Sequence, residues 1–140
     1  MAKMNPAETA AFLEESHIAH LVTLRENGTP HVSPIWYKFV DGQFAMFTPS
    51  HSIKFHNLSM DSRASISVAS YDEPYRYVVA EGSVTLNEQE FDEIAPAIAS
   101  RYRGKEKGKI FVEELRAEYD MSTLLLIPQR FMTYRALQKG

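Results

Sequence analysis

The sequence predicts a mainly β protein with peripheral helices, folded as a closed or nearly closed barrel of six or seven mostly antiparallel strands. Extended apolar segments are joined by tight turns at Asn27-Gly28 and Asp41-Gly42, and such dipeptides favour the positive φ of hairpin turns. Strands and helices do not alternate strictly, which disfavours a parallel sheet. Barrel closure would also remove the exposed edges of so small a sheet.

The strands are predicted where apolar and β-branched residues run together. The first is expected at Ile18–Arg25, and the second from about His31 to Val40. Further strands are expected at Gln43–Thr48, Arg63–Ser70, Tyr75–Leu86, Thr123–Ile127 and Phe131–Leu137, with Pro128 interrupting the last two. Within the fourth run, Ala64, Ile66 and Val68 share one face because successive side chains of a strand alternate.

Helices are predicted in the longer connections. Asn5, Pro6 and Glu8 suit the N-cap, first position and capping box of the first helix, and a short helix follows the turn Pro49–Ser52. Helical spacing of apolar residues predicts a helix over Asn87–Arg101, which Pro96 should kink or break. A basic loop is expected at Arg103–Lys109, before another helix to about Tyr119.

Composition indicates one globular domain, spanning residues 1–140. No apolar run approaches the ~20 residues of a membrane span, and the N-terminus lacks the layout of a secretory signal. The absence of cysteine excludes thiolate nucleophiles, disulfides and cysteine-ligated metals and fits a cytoplasmic location. A net charge of −3 disfavours nucleic acid as a partner, and we expect neither nucleic acid nor membrane.

Several chemistries lack their sequence motifs. The six glycines form neither a dinucleotide-binding fingerprint nor a P-loop, and no Gly-x-Ser-x-Gly elbow is present. His17 and His20 are three residues apart, but they straddle a predicted helix end and strand start, so no metal site is expected. The carboxylate pairs Glu14-Glu15 and Glu113-Glu114 are interpreted as solvated helix faces.

The most informative segment runs from Gly28 to Asn57. Within it, Thr48 ends a strand and a polar turn leads into a helix start at Ser52. Hydroxyls and unpaired backbone N–H groups at a helix start bind anions, and Lys54 adds a positive charge. These three residues predict a phosphate pocket, although they equally fit a helix cap beside a solvated lysine.

The preceding strand carries a second candidate surface. Ser33, Pro34, Ile35 and Trp36 offer a flat apolar face, and proline partly frees their backbone from ladder pairing. A single tryptophan also fits a core or interface position.

Taken in order and spacing, these segments resemble the pyridoxamine-5′-phosphate-oxidase-like family. Its members are Greek-key-like split β-barrels of the flavin-binding type, and they bind FMN or the deazaflavin coenzyme F-420. The resemblance extends from about Phe12 to Tyr134. It rests on Gly28–Trp36, Asp41-Gly42 with Phe47-Thr48, Ser52–Lys54 with Asn57-Leu58, Asp61–Arg63, and Tyr75–Tyr77 with Glu81-Gly82.

The resemblance implies a homodimer with two cofactor sites at the subunit interface. By the family pattern, Thr48, Ser52 and Lys54 hold the cofactor phosphate with Asn57 nearby. The backbone around Ser33, Pro34, Ile35 and Trp36 lies along the tricyclic ring. Tyr75, Arg76 and Tyr77 complete the site from the other subunit. Because the ring itself performs the redox chemistry, no nucleophilic side chain is expected, and no catalytic residue is assigned.

The implied activity is an oxidoreductase that transfers a hydride between reduced coenzyme F-420 and a small conjugated or aromatic acceptor. Coenzyme F-420 is favoured over FMN because Arg101–Gly104 resembles the deazaflavin-dependent reductase branch. In addition, five basic residues within Arg101–Lys109 suit an acidic cofactor tail, although they also fit a solvated surface. The sequence shows no match to the C-terminal substrate-binding segment of pyridoxamine phosphate oxidases proper, which makes vitamin B6 oxidation doubtful.

Three alternatives remain open. One is an FMN-dependent oxidoreductase of the same family. Another is a flavin- or haem-binding protein without turnover, with His31, His51 or His56 as candidate haem ligands. The last is a structural dimer whose pocket no longer binds a cofactor.

Overall fold

The computed structural model describes residues 2–137, so Met1 and residues 138–140 of the predicted domain lie outside the described part. Seven strands are present: β1 (Ala19–Leu24), β2 (Pro30–Ile35), β3 (Lys38–Val40), β4 (Gln43–Pro49), β5 (Arg63–Ala69), β6 (Arg76–Asn87) and β7 (Met121–Arg135). Four helices accompany them: α1 (Pro6–Glu14), α2 (Ile53–Met60), α3 (Phe91–Arg103) and α4 (Lys105–Glu118).

The strands form one curled sheet in the order β2-β1-β5-β6-β7-β4-β3, and every pairing is antiparallel. The predicted split β-barrel with peripheral helices is therefore confirmed. Among residues 2–137, none of the helices has the length and apolar character needed to span a membrane.

Local sequence signals explain the start of the fold. The Asn5 side chain accepts a hydrogen bond from the Glu8 amide at 2.8 Å, and the Glu8 carboxylate accepts one from the Asn5 amide at 3.2 Å, which completes the predicted capping box. The two predicted turns contain Gly28 and Gly42 at φ of 85° and 75°. Positive φ carries no steric penalty at glycine, so both hairpins close tightly.

The main core lies inside the curled sheet and is closed by α1. Phe12 and Leu13 of that helix are buried against the sheet, as predicted. The predicted inward face of β5 is confirmed, since Ala64, Ile66 and Val68 are all buried. Burying a valine, leucine or isoleucine side chain contributes about 1.5–3 kcal/mol, which makes this interior the main stabilising element.

A second, smaller cluster holds the hairpin of α3 and α4 against the outside of the sheet. Its buried members are Phe91, Ala95, Ala99, Val112 and Met121, with Trp36, Phe47 and Leu115 packed against them. This cluster places α3 over the junction between β2 and β3.

The predicted strand His31–Val40 is wrong in one respect, because it is broken at Trp36-Tyr37. The Tyr37 amide donates to the Tyr102 hydroxyl at 3.2 Å, and the Tyr37 carbonyl accepts from Nε of Arg101 at 2.9 Å. Buried backbone groups need partners, and here α3 supplies both of them. The chain can therefore leave the sheet at this point without unpaired polar groups.

The predicted basic loop Arg103–Lys109 is also wrong, since α4 begins at Lys105. Gly104 alone makes the connection, with φ of 86°. Close contact between the helices depends on Gly108, where an added Cβ would lie 2.9 Å from the carbonyl carbon of Ala99. Pro96 does not break the helix, since α3 continues through it.

The last two predicted strands are a single strand. Pro128 pairs with Gly82 and Arg130 pairs with Glu81, so Gln129 is one extra residue that forms a bulge. A bulge tolerates proline because the ladder is already locally disrupted there. The strand ends at Arg135, two residues before the predicted end at Leu137.

Candidate functional site

A compact polar cluster lies where β4 passes into α2. The buried Thr48 hydroxyl donates to Oγ of Ser52 at 2.9 Å, and the Lys54 ammonium donates to Oγ1 of Thr48 at 3.4 Å. Ser52 is the N-cap of α2, and its Oγ also accepts from the Phe55 amide at 3.2 Å. The structure therefore brings together the three residues predicted to bind phosphate.

The electrostatics of this cluster favour an anion. Burial lowers the pKa of Lys54, because the charged ammonium is partly removed from water. No carboxylate of residues 2–137 pairs with it. The first amides of α2, at Ile53 and Lys54, have no acceptor within the helix, and they add to the positive end of its dipole.

Asn57 lies one turn further along α2 and points into the barrel. It is 3% exposed, and its Nδ2 donates to Oγ1 of Thr23 at 3.0 Å. This bond ties α2 to β1 and so positions the helix start that carries Lys54. Of the apolar residues on α2, Leu58 is buried whereas Ile53 is 59% exposed.

Ser33, Pro34 and Ile35 form the end of β2, which is an edge strand of the sheet, and Trp36 follows directly after it. Ser33 and Pro34 retain exposed surface, while the Ile35 side chain is buried in the barrel core. An edge strand leaves alternate backbone groups without a ladder partner. The backbone of this segment is therefore accessible, as the predicted ring contact requires, but the Ile35 side chain is not.

Trp36 is packed under the α3–α4 hairpin. Its indole stacks on Tyr102 with centroids 4.9 Å apart and planes 5° apart, and it contacts Phe111 at 5.3 Å and Phe47 at 6.4 Å. The guanidinium of Arg103 lies over the indole at 5.3 Å. We call Trp36, Phe47, Tyr102, Arg103 and Phe111 the Trp36 cluster.

Tyr75, Arg76 and Tyr77 lie far along the sheet from Lys54. Tyr77 of β6 pairs with Tyr134 of β7, whereas Thr48 of β4 pairs with Ser122 of β7. The tyrosines and the Lys54 cluster therefore lie beside opposite ends of β7. Twelve residues separate these positions on β7, which corresponds to roughly 40 Å along the strand. Within one chain the two groups therefore do not form one site.

Arg76 is held within its own chain. Its guanidinium donates to both carboxylate oxygens of Glu15, at 2.8 and 3.0 Å, and lies 4.9 Å from the centre of the Phe12 ring. This ion pair lowers the pKa of Glu15. The carboxylate stays exposed, as predicted, but it lies at the C-cap of α1 and pairs with Arg76. Tyr75 and Tyr77 keep about half and a third of their surface exposed, and Tyr77 stacks on Tyr134.

The histidines are dispersed. Within residues 2–137, no group of three or more His, Asp or Glu side chains is arranged to hold a metal ion. His51 lies against Tyr119 and His56 contacts Glu26, both at the surface, whereas Nδ1 of His31 is buried without a hydrogen-bond partner in the described chain. His17 bonds to Glu15 at 3.0 Å.

Sequence reasoning missed the residues that hold the β2–β3 junction. Arg101 donates to the carbonyls of Tyr37, Leu13, Glu14 and Glu15 at 2.9–3.2 Å. Tyr37 is fully buried, which raises the pKa of its phenol, and its hydroxyl donates to the Leu13 carbonyl at 2.9 Å. The helical spacing of apolar residues predicts a helix in this segment, but such spacing gives no indication of the hydrogen bonds that Arg101 and Tyr102 form.

A hollow of about 630 Å³ lies between the N-terminal segment and the distal half of β7. It is lined mainly by apolar side chains, among them Met4, Phe39, Tyr77, Phe131 and Met132. From Ile127 onward, β7 pairs with β6 but not with β4. This end of the sheet therefore presents an apolar surface remote from Lys54 in the same chain.

The curled sheet, with the Thr48, Ser52 and Lys54 cluster where β4 passes into α2, has the architecture of a split barrel of the flavin-binding type. The chain belongs to the pyridoxamine 5′-phosphate oxidase family, whose profile matches residues 6–131. No curated protein matches the sequence significantly.

Similar solved structures share the fold. A conserved hypothetical protein of Mycobacterium tuberculosis is 24% identical, with a TM-score of 0.82 over 98% of this chain and 92% of that one. A protein named F420 reductase is 22% identical, with a TM-score of 0.71 over 87% and 94%. A heme binding protein from Mycobacterium smegmatis is 23% identical, with a TM-score of 0.68 over 96% of this chain and 55% of that one.

Proposed function

We propose that the protein is an oxidoreductase that binds coenzyme F-420 or FMN and transfers a hydride between the cofactor and a small conjugated or aromatic acceptor. The observation that carries this proposal is the partly buried Lys54 ammonium, which has hydroxyls and helix amides around it but no carboxylate partner in the described chain. This donor set fits a phosphate group.

When bound, the cofactor ring supplies the redox chemistry, and the protein contributes position and electrostatics. Lys54, Ser52 and Thr48 hold the phosphate, and the bond from Asn57 to Thr23 keeps the helix start in place. The open backbone edge at Ser33 and Pro34 orients the ring. The Trp36 cluster forms an apolar wall that excludes water from one side of this edge.

We propose that the working unit is a homodimer, with each cofactor at the subunit interface. Ile127, Phe131 and Met132 are each 43% exposed along the part of β7 that lacks β4, and an apolar strand edge of this kind favours a covering partner. A second copy can bring Tyr75 and Tyr77 to the Lys54 site, which their own chain cannot do. Arg76 is held by Glu15, so it would contribute mainly by orienting these tyrosines.

Coenzyme F-420 remains our preferred cofactor. Its acidic tail needs cations beyond the phosphate pocket. Arg101 is used by backbone carbonyls, which leaves Arg103, Lys105, Lys107 and Lys109 on the hairpin for this purpose. FMN has no such tail and would not use them.

The test is a titration of the purified protein with FMN and with F-420, followed by cofactor fluorescence, for the wild type and two lysine variants. Lys54→Ala should weaken binding about tenfold or more, since a charge-assisted bond to phosphate contributes about 1.5–3 kcal/mol. Lys109→Ala, an exposed lysine on α4, is the matched control in the FMN titration, because FMN has no acidic tail that would use this lysine. Unchanged affinity in Lys54→Ala would refute the phosphate assignment, and tighter binding of FMN than of F-420 would refute our choice of cofactor.

A haem-binding protein is the second candidate. It is favoured by the buried, unpartnered Nδ1 of His31, since a ligand can satisfy such an atom. Addition of haem should then produce a Soret band that His31→Ala shifts or abolishes. If the wild type gives no Soret band, the haem-binding function is excluded, and the proposed binding of F-420 or FMN is unaffected.

A further inference from the structure

Arg103 occupies an unusual position at the C-terminal end of α3. Its guanidinium lies 4.2 Å from the centre of the Phe111 ring and 5.3 Å from that of Trp36. It forms no ion pair with any acidic residue of the chain between positions 2 and 137. By contrast, Arg63, Arg76, Arg116 and Arg135 each pair with a carboxylate.

Two open hollows border the Trp36 cluster. One, of about 250 Å³, is lined by Ile18, Pro34, Ile35 and Trp36. The other, of about 230 Å³, is lined by Arg103, Lys107, Ile110, Phe111 and Glu114. Trp36 lines the first hollow and contacts Phe111 and Arg103, which line the second. Apolar side chains therefore connect the β2 edge with the positive charge of Arg103.

An arginine that rests on aromatic rings is well prepared to bind a carboxylate. The rings restrict the guanidinium plane, so less side-chain freedom is lost when a ligand binds. Its N–H groups stay available in the fork geometry that matches a carboxylate with two hydrogen bonds. Lys107 adds a second positive charge beside it, against the single acidic residue Glu114.

We propose that Arg103, supported by Lys107, is a carboxylate-binding subsite, so that the physiological acceptor is a conjugated or aromatic carboxylic acid. This proposal rests on the proposed function, because the β2 edge must face the redox ring for an acceptor to lie here. The aromatic or conjugated part would lie along Pro34 and Trp36, and the carboxylate would reach Arg103. An acidic cofactor tail offers the same chemical group, and the experiment separates the two sources.

The experiment uses the full-length protein without added cofactor and two probes, cinnamate and its uncharged amide, cinnamide. Calorimetric titration measures both affinities, and the fluorescence of Trp36, the one tryptophan of the sequence, reports binding at this cluster. The wild type should prefer cinnamate over cinnamide by about tenfold, as expected for one bidentate charged contact. Arg103→Gln should abolish the preference while leaving cinnamide binding unchanged. Arg130→Gln, the same change on exposed β7, should keep it.

Equal affinity for the two probes, or a preference that survives in Arg103→Gln, would overturn the proposal. A separate titration of Arg103→Gln with F-420 and FMN tests the other source. One outcome is that Arg103→Gln loses F-420 binding but keeps FMN binding, while the wild type shows no preference for cinnamate. That result would assign Arg103 to the cofactor tail and would overturn the acceptor subsite. Failure of the cofactor site itself would appear in the Lys54 titrations, because the probe measurements need no cofactor.

Discussion

Replacement of Arg101 by methionine should destabilise the protein more than any other loss of a single surface arginine. Methionine has a similarly long side chain and a high helix propensity, so the change removes mainly the guanidinium. The Arg101 guanidinium donates to four carbonyls. Those of Tyr37 and Leu13 belong to fully buried residues, whereas those of Glu14 and Glu15 lie where water can replace the guanidinium as donor.

The magnitude follows from those two buried acceptors. Hydrogen bonds to charged groups contribute about 1.5–3 kcal/mol each. Each carbonyl keeps a second donor after the change, the Tyr37 hydroxyl at Leu13 and the Tyr102 hydroxyl at Tyr37, which reduces the loss. We therefore expect Arg101→Met to lower the free energy of unfolding by about 2–4 kcal/mol. For a small protein with an m-value of about 2 kcal/mol/M in urea, the unfolding midpoint should fall by about 1–2 M.

The assay is urea unfolding followed by circular dichroism and by Trp36 fluorescence, at one protein concentration because association of copies adds to apparent stability. Arg116→Met is the matched control. Arg116 is half exposed and pairs only with Asp92, at 3.1 Å, so its loss should cost less than about 1 kcal/mol. The reasoning is refuted if Arg101→Met loses no more stability than Arg116→Met does.

Two further predictions concern packing and pH. Gly108→Ala should lower the melting temperature, because the added Cβ would clash with Ala99. Overpacking of this kind costs about 1–3 kcal/mol, which outweighs the gain of about 1 kcal/mol in helix propensity. The neighbouring exposed change Lys109→Ala should leave the melting temperature unchanged, and a higher melting temperature for Gly108→Ala would contradict the prediction. Since Arg76 lowers the folded-state pKa of Glu15, the ion pair stabilises the protein above pH ~4.3 and is lost as pH falls through that lowered pKa. Glu15→Gln should therefore lower the free energy of unfolding at pH 7 by less than about 1 kcal/mol, because the pair is so exposed. The difference from the wild type should shrink as pH falls through the lowered pKa of Glu15, and a difference that does not change with pH would count against the assignment.

The sequence predicts those features of the fold that depend on short-range signals. The capping box at Asn5, the glycine turns at 28 and 42, and the alternating face of β5 each need only a few neighbouring residues. The polar cluster of Thr48, Ser52 and Lys54 forms as predicted for the same reason, since all three lie within seven residues of one another.

The features that sequence reasoning missed depend on contacts between distant segments. The break at Tyr37 is satisfied by Arg101 and Tyr102, more than sixty residues later. The predicted loop after Arg103 is helical because tertiary packing around Gly108 outweighs the turn signal of the glycines. Pro128 looked like a strand end, but the bulge at Gln129 depends on the register with β6, which no local pattern reveals.

The anchoring of the α3–α4 hairpin has a consequence for how specificity can change in this scaffold. Arg101 and Tyr102 attach the hairpin to the barrel at the C-terminal end of α3, while α4 beyond them presents exposed charged residues and contacts Trp36 through Phe111. Exchanging exposed residues of α4, such as Lys107 and Ile110, would thus alter the lining of the neighbouring hollow, while the buried Gly108 and Val112 keep the hairpin packed on the barrel. The exposed face of α4 is therefore a surface that can be varied independently of the barrel, and under the proposed function new acceptor specificity could be engineered there without changing the Lys54 cluster.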